Sequence, residues 1–217
     1  MAQIPADQAV IDQLNVSRET IDKLSEYLRL LVKWQASINL VSTSTLPQAW
    51  SRHVLDSAQL CEYLPAVEQA SNASDLPHIV DVGSGAGFPG LVLSIMTGHQ
   101  VTLVESDQRK SVFLKTVIRE LGLSVQVENA RIEALPPLGA TIITARALAP
   151  IDRLLSMLAR QLPSVQKCLF LKGASVQEEL THLQSYHNIK HRIFASVTSA
   201  DSAILELDTT NHSETER

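Results

Sequence analysis

The chain has 217 residues, 45% hydrophobic and 19% charged, which is an ordinary globular composition and long enough to bury a full core. A formal net charge of −5 argues against a freestanding binder of naked nucleic acid, whose affinity comes largely from lysine and arginine neutralising phosphates, although it leaves room for a local basic face. Cys61 and Cys168 stand far apart, in neither a disulfide framework nor a zinc spacing, no apolar run approaches the roughly 20 residues that span a bilayer, and the first residues, with Asp7 and Asp12, carry no signal-peptide pattern, so a cytoplasmic protein without membrane contact is expected.

Residues 4–15 read as a short helix with Val10, Ile11 and Leu14 on one side. A longer one follows: Ser17 caps it, and Ile21, Leu24, Leu28 and Leu31 recur at three- and four-residue steps to about Ile38. Pro47 suits the first turn of a third helix reaching about Leu64, with Trp50, Val54, Leu55 and Leu60 as core positions. These helices are expected to form an N-terminal extension over residues 1–70, packed on one face or edge of the core. Between Pro65 and Pro77, Ala, Ser, Asn and Asp mark a connector.

The periodicity then changes. Strands are expected at 79–82, 101–105, 125–127, 141–144 and 168–171, alternating with helices from Pro89 to about Met96, from Ser106 or Asp107 to Leu121, and from Pro150 to Leu162. The second of these carries Val112, Phe113, Val117, Ile118 and Leu121 and ends at Gly122 in a left-handed cap. Such alternation implies an α/β core with right-handed crossovers and a mostly parallel sheet covered on both faces, here residues 71–208. A helix from Val176 to Leu183 and two runs near 189–197 and 203–207 suggest a closing antiparallel hairpin. The polar residues 209–217 read as a disordered tail.

The first strand runs into Gly83-Ser84-Gly85-Ala86-Gly87-Phe88-Pro89-Gly90, a glycine-rich turn where backbone folds tightly and a ligand can approach. Gly85 to Gly90 formally satisfies G-x-G-x-x-G, so a dinucleotide site, as in an NAD-dependent oxidoreductase, stands as one reading and a structural turn as another. Two details favour S-adenosylmethionine. Pro89 removes a backbone donor where a pyrophosphate would be held, and Asp81 can bind the ammonium of an amino-acid tail, directly or through water. Glu105, 24 residues after Asp81 at the end of the second strand, can accept the ribose hydroxyl protons of either cofactor.

Asn39-Leu40, Arg52-His53-Val54-Leu55-Asp56-Ser57, the loop Asp81 to Gly90, Glu105-Ser106 with Arg109-Lys110, Arg131-Ile132-Glu133, Thr144-Ala145-Arg146-Ala147 and Leu171-Lys172-Gly173 occur in one order and spacing. In these pieces the chain resembles the bacterial small-subunit ribosomal RNA methyltransferase G family, formerly glucose-inhibited division protein B. The resemblance runs from about residue 39 to 173. It implies a Rossmann-like class I methyltransferase with a seven-stranded sheet, acting as a monomer. That enzyme moves a methyl group from S-adenosyl-L-methionine to N7 of guanine 527, in the 530 loop of 16S ribosomal RNA, within the 30S subunit or an assembly intermediate. By position it implies that Gly83, Gly85, Gly87 and Phe88 line the cofactor loop, that Ile132 and Glu133 meet the adenine, and that Arg146 serves cofactor and substrate. A methyltransferase acting on another RNA or a small molecule is the alternative.

N7 of guanine holds a free lone pair at neutral pH, so no proton-abstracting residue is required; alignment of the reacting atoms in a dehydrated pocket suffices. Arg146 is the catalytic candidate, because a guanidinium donates two hydrogen bonds to guanine O6 or holds a phosphate; an ion pair at a strand end is its plainer role. Arg52, His53 and Lys172 are substrate candidates, with Asp56 one helical turn from Arg52 and His53 and equally able to form an ordinary surface pair with them. Arg109, Lys110, Lys115 and Arg119 read as a solvated helix face, and Trp34 and Trp50 as packing residues rather than base stackers. His182, His187 and His191 lack an acidic or thiolate companion, so no metal is expected.

Overall fold

The computed structural model describes residues 4–65, 76–181 and 189–210. Seven strands form one sheet in the order β3-β2-β1-β4-β5-β7-β6. They are β1 His78–Val82, β2 Gln100–Val104, β3 Val125–Glu128, β4 Ile142–Arg146, β5 Lys167–Lys172, β6 Lys190–Ala195 and β7 Ala203–Asp208. The first five are parallel, while β7 runs antiparallel to both β5 and β6, forming the expected hairpin. Because β1 lies between β2 and β4, the chain reverses direction of growth there, and a crevice opens beyond the carboxyl ends of β1 and β4.

Successive residues of β1 feed opposite cores. Ile79 joins the cluster of Leu24, Leu31, Val54 and Phe113, whereas Val80 and Val82 join that of Ile143, Leu154 and Leu158. The first core takes helices α1 Gln8–Leu14 and α2 Arg18–Gln35, an irregular helix over residues 46–63, and helices α4 Gly90–Thr97 and α5 Gln108–Leu121. The second takes α6 Ile151–Leu158 and α7 Val176–Thr181. Ser17 caps α2 through Thr20 N, and Asp107 caps α5 through Arg109 N and Lys110 N. Gly122, at φ 62°, closes α5 in the left-handed conformation. No helix among the described residues is long and apolar enough to cross a membrane.

Three sequence expectations change. The helix from Pro47 is a chain of short forms: 3-10 turns at Leu46–Gln48 and Gln59–Tyr63, a π turn at Trp50–Leu55, and a three-residue α segment, α3 Asp56–Ala58. Val112 is 46% exposed, since α5 turns Phe113, Leu114 and Val117 inward instead. Thr209 is no part of a loose tail: its N–H donates to Gln166 O at 3.1 Å, and its hydroxyl donates to Val165 O. Residues 211–217, most of the connector and Leu183 lie outside the described residues.

Candidate active site

The turn after β1 is built by left-handed glycines, with φ of 68° at Gly83, 56° at Gly85 and 96° at Gly87. The carboxylate of Glu105 pins it, accepting from Gly85 N at 2.8 Å and from Asp107 N at 2.7 Å. From the opposite side, the fully buried Tyr27 of α2 donates its hydroxyl to Ala86 O. A Cβ added to Gly83 would meet Leu148, and one added to Gly87 would meet Leu91 and Tyr27, so the loop is packed against protein at both positions. At Gly85 the nearest such atom is Gly83 O at 3.8 Å, and this side of the loop stands open.

Phe88 turns inward from the loop and organises the wall of the crevice. Its ring lies 5.1 Å from that of Tyr27 and stacks on His53 at 5.0 Å. The Arg146 guanidinium sits 5.0 Å from the Phe88 centroid, a cation–π contact. Nη1 of Arg146 donates to Arg52 O at 3.2 Å and pairs with Asp56 Oδ2 at 3.4 Å. Asp56 is held in turn by the β6–β7 turn, where Thr198 donates to its Oδ1 at 2.8 Å. Gln59 adds Nε2 to Ser196 Oγ and accepts from Val197 N. Directly after Arg146, Ala147 adopts φ 49°, a left-handed conformation that costs a non-glycine residue about 1 kcal/mol or more.

These groups enclose a cavity of about 380 Å³, whose wall includes Arg52, His53, Gly83, Gly85, Phe88, Arg146 and Lys172. The sequence candidates therefore divide. Those seven converge on one space. Asp81, Gly87, Glu105, Ile132 and Glu133 do not line it. Asp81 is fully buried beneath the loop, where Thr144 donates to its Oδ1 at 2.8 Å and Oδ2 has no hydrogen-bond partner among the described residues. Burial pushes its carboxyl up to about 6, with the Thr144 hydrogen bond opposing the rise. Ile132 is buried in a 3-10 turn after β3, and Glu133 is exposed beside it.

Two expected interactions take a different form. Asp56 pairs across the crevice with Arg146 rather than along its own helix with Arg52, because the π turn rotates the residues that precede it out of i,i+4 register. Lys172 reaches the cavity wall, but its ammonium is 2.5 Å from Glu179 and donates to Ala149 O at 3.0 Å, so it ties β5 to α7. Burial, with Arg146 and Arg52 nearby, lowers His53 to about 3 and keeps its ring neutral. Trp34 packs on Phe113, Trp50 is buried, and Arg119 pairs with Glu120 on the solvated face of α5. His182 and His187 lie outside the described residues, and among the described residues no group of three or more potential ligands could hold a metal.

Sequence reasoning assigned no part to Tyr27, Thr45, Thr144 or Thr198. Thr144 stands two residues before Arg146 on β4, so strand alternation puts both on one side, and this was the available signal. Thr198 lies 142 residues from Asp56, and nothing local announces that contact.

A family model described as rRNA small subunit methyltransferase G matches residues 20–207. The ribosomal RNA small subunit methyltransferase G of Paramagnetospirillum magneticum is 46% identical over 200 residues, covering 92% of this chain and 94% of its own. Its namesake in Parvibaculum lavamentivorans is 49% identical over 174 residues, 77% of this chain and 73% of that one. Among solved structures, a SAM-dependent methyltransferase from Aquifex aeolicus superimposes with a TM-score of 0.53 at 16% identity, over 74% of this chain and 91% of that one. A precorrin-6y C5,15-methyltransferase from Geobacter metallireducens gives 0.52 at 8% identity, over 79% and 92%. The structural likenesses bear on the fold alone, a mostly parallel Rossmann-like sheet. With near half of its residues shared along almost the whole length, this chain belongs to the rRNA small subunit methyltransferase G family.

Proposed function

We propose that this protein transfers a methyl group from S-adenosylmethionine to N7 of a guanine, guanine 527 of the 530 loop, in 16S ribosomal RNA, acting in the cytoplasm as a monomer on the 30S subunit or an assembly intermediate. The observation that carries this reading is Arg146, held over Phe88 at the mouth of a cavity floored by the glycine turn. The residues present suit the cofactor. Gly85 leaves open space where a side chain would intrude, and Asp81 keeps under the loop a buried carboxylate oxygen that no described residue partners. Glu105 retains free lone pairs beyond its two backbone bonds for ribose hydroxyls, and Ile132 with Glu133 would flank the adenine. When bound, S-adenosylmethionine supplies a methyl group already activated by its sulfonium.

The protein's share is then alignment and charge. Arg146 donates to guanine O6, which turns the N7 lone pair toward the methyl carbon. Phe88 and His53 keep water from the reacting atoms. No side chain has to remove a proton. The experiment is transfer of radiolabelled methyl groups to unmodified 30S subunits and to naked 16S RNA, with the product nucleoside identified. N7-methylguanine is expected with 30S subunits, and its absence from both substrates would remove the reading. Calorimetric titration with NAD and with S-adenosylmethionine separates the dinucleotide reading at once.

Asp81 makes the binding step sensitive to pH. Its folded-state value is above the ordinary 3.8, so its contribution to stability is full below that value and is lost as pH rises through about 6. At neutral pH the fold holds a buried charge, and a cation bound over the loop offsets it. S-adenosylmethionine binding near pH 6 is therefore expected to release a proton. The binding enthalpy should differ between two buffers of unequal ionisation heat at pH 6, agree at pH 8, and lose this dependence in Asp81→Asn. A buffer-independent enthalpy at pH 6 would exclude Asp81 from the cofactor site.

A further inference from the structure

His53 reaches the cavity wall from the π turn of the irregular helix. It is 6% exposed, and its Nε2 lies 3.0 Å from Thr45 Oγ1. Thr45 has a single hydroxyl proton, which it gives to Ser42 O at 2.8 Å. Thr45 therefore accepts from His53: Nε2 carries the ring proton, and Nδ1 is left with a bare lone pair. That buried Nδ1 has no hydrogen-bond partner among the described residues. Buried polar atoms are almost always satisfied, and this unsatisfied nitrogen belongs to a ring that lines the cavity.

Charge selects the donor. Arg146 and Arg52 both bear on His53, and two guanidinium groups disfavour the cofactor's ammonium beside Nδ1. A neutral N–H remains. Guanine presents such donors at N1 and the 2-amino group, on its Watson–Crick edge beside the O6 that suits Arg146, whereas adenine presents an acceptor at N1. The His53 ring and the Arg146 guanidinium each lie 5.0 Å from the centroid of Phe88, and both line the same cavity. We propose that Nδ1 of His53 accepts a hydrogen bond from the N1–H or 2-amino group of the target guanine, reading the base that Arg146 aligns. This assignment rests on the methyl-transfer reading above. Methylation at N7 places positive charge on the purine and strengthens its N1–H as a donor, so the contact tightens as the reaction proceeds.

Two variants separate this role from packing. His53→Gln keeps a donor for Thr45 and removes the acceptor at Nδ1, while His53→Asn sets its amide oxygen near Nδ1 and gives up Thr45. Both are assayed for kcat/KM on unmodified 30S subunits and for S-adenosylmethionine affinity by calorimetry, with thermal unfolding as the check on folding. His53→Gln is expected to lower kcat/KM about 10- to 100-fold with cofactor affinity little changed, and His53→Asn to retain more activity than Gln. The ratio of wild type to variant should be the same at pH 6 and pH 8, because an acceptor that titrates at about 3 is neutral throughout. Full activity in His53→Gln, cofactor affinity lost in step with turnover, a ratio that changes with pH, or an Asn variant no better than Gln would each overturn the assignment. If one variant does not fold, the other decides by the same split between turnover and affinity. A wild-type protein that makes no N7-methylguanine would instead overturn the methyl-transfer reading, and this assignment with it.

Discussion

Arg146→Ala is expected to lower kcat/KM for methyl transfer to 30S subunits by about 10²- to 10³-fold, the usual cost of removing one preorganised donor from a reacting centre. Calorimetry should show S-adenosylmethionine affinity changed by less than about fivefold, about 1 kcal/mol. The split follows from the geometry. Both protein bonds of the guanidinium use Nη1, toward Arg52 O and Asp56 Oδ2, which leaves donors on Nε and Nη2 for a base. Phe88 supports the flat face and Asp56 the charge, so the group is placed before substrate arrives. Arg146→Lys should remain far below wild type, because an ammonium cannot present two coplanar donors. Equal losses of affinity and turnover in the alanine variant would sink the substrate role.

Gly90→Ala is expected to destabilise the protein by about 1–3 kcal/mol, read as a melting temperature lowered by roughly 3–10 °C. A Cβ at this position would lie 2.4 Å from Leu103 Cδ2 and 2.8 Å from Asp81 Cβ. The tip of Leu103 can turn aside. Asp81 cannot withdraw, because it belongs to β1, which is paired with β2 on one side and β4 on the other. Helix α4 would have to lift from the sheet at its first turn, carrying the end of the glycine loop with it. Gly173→Ala serves as the control: among the described residues nothing lies within 4 Å of its added Cβ, and its melting temperature should match wild type. An unchanged melting temperature for Gly90→Ala would show that α4 moves freely on the sheet.

Much of the fold could be read along the chain because it depends on local periodicity. Seven apolar runs, most of them separated by helices, became seven strands, with Ser17, Asp107 and Gly122 bounding helices where their chemistry suggested. The misreadings arose where neighbours override periodicity. A regular helix from Pro47 met a β6–β7 turn that ties Asp56 and Gln59, and it settled into 3-10, π and α segments. Thr209 was read as tail from its polar surroundings, yet it continues the backbone bonding that begins at Gln166.

For the site, the sequence by itself determined the parts: a turn that only glycines can make, carboxylates at the ends of the first two strands, and an arginine at the end of the fourth. These follow from residue type and order, which act over a few positions at a time. Tertiary structure alone decided the partners. Asp56 faces Arg146 instead of Arg52, Tyr27 anchors the loop from a helix 59 residues away, Lys172 is committed to Glu179, and Nδ1 of His53 is left without a partner among the described residues. Each of these depends on which surfaces the sheet brings together, and a hydrogen bond reaches about 3 Å in space whatever the distance along the chain.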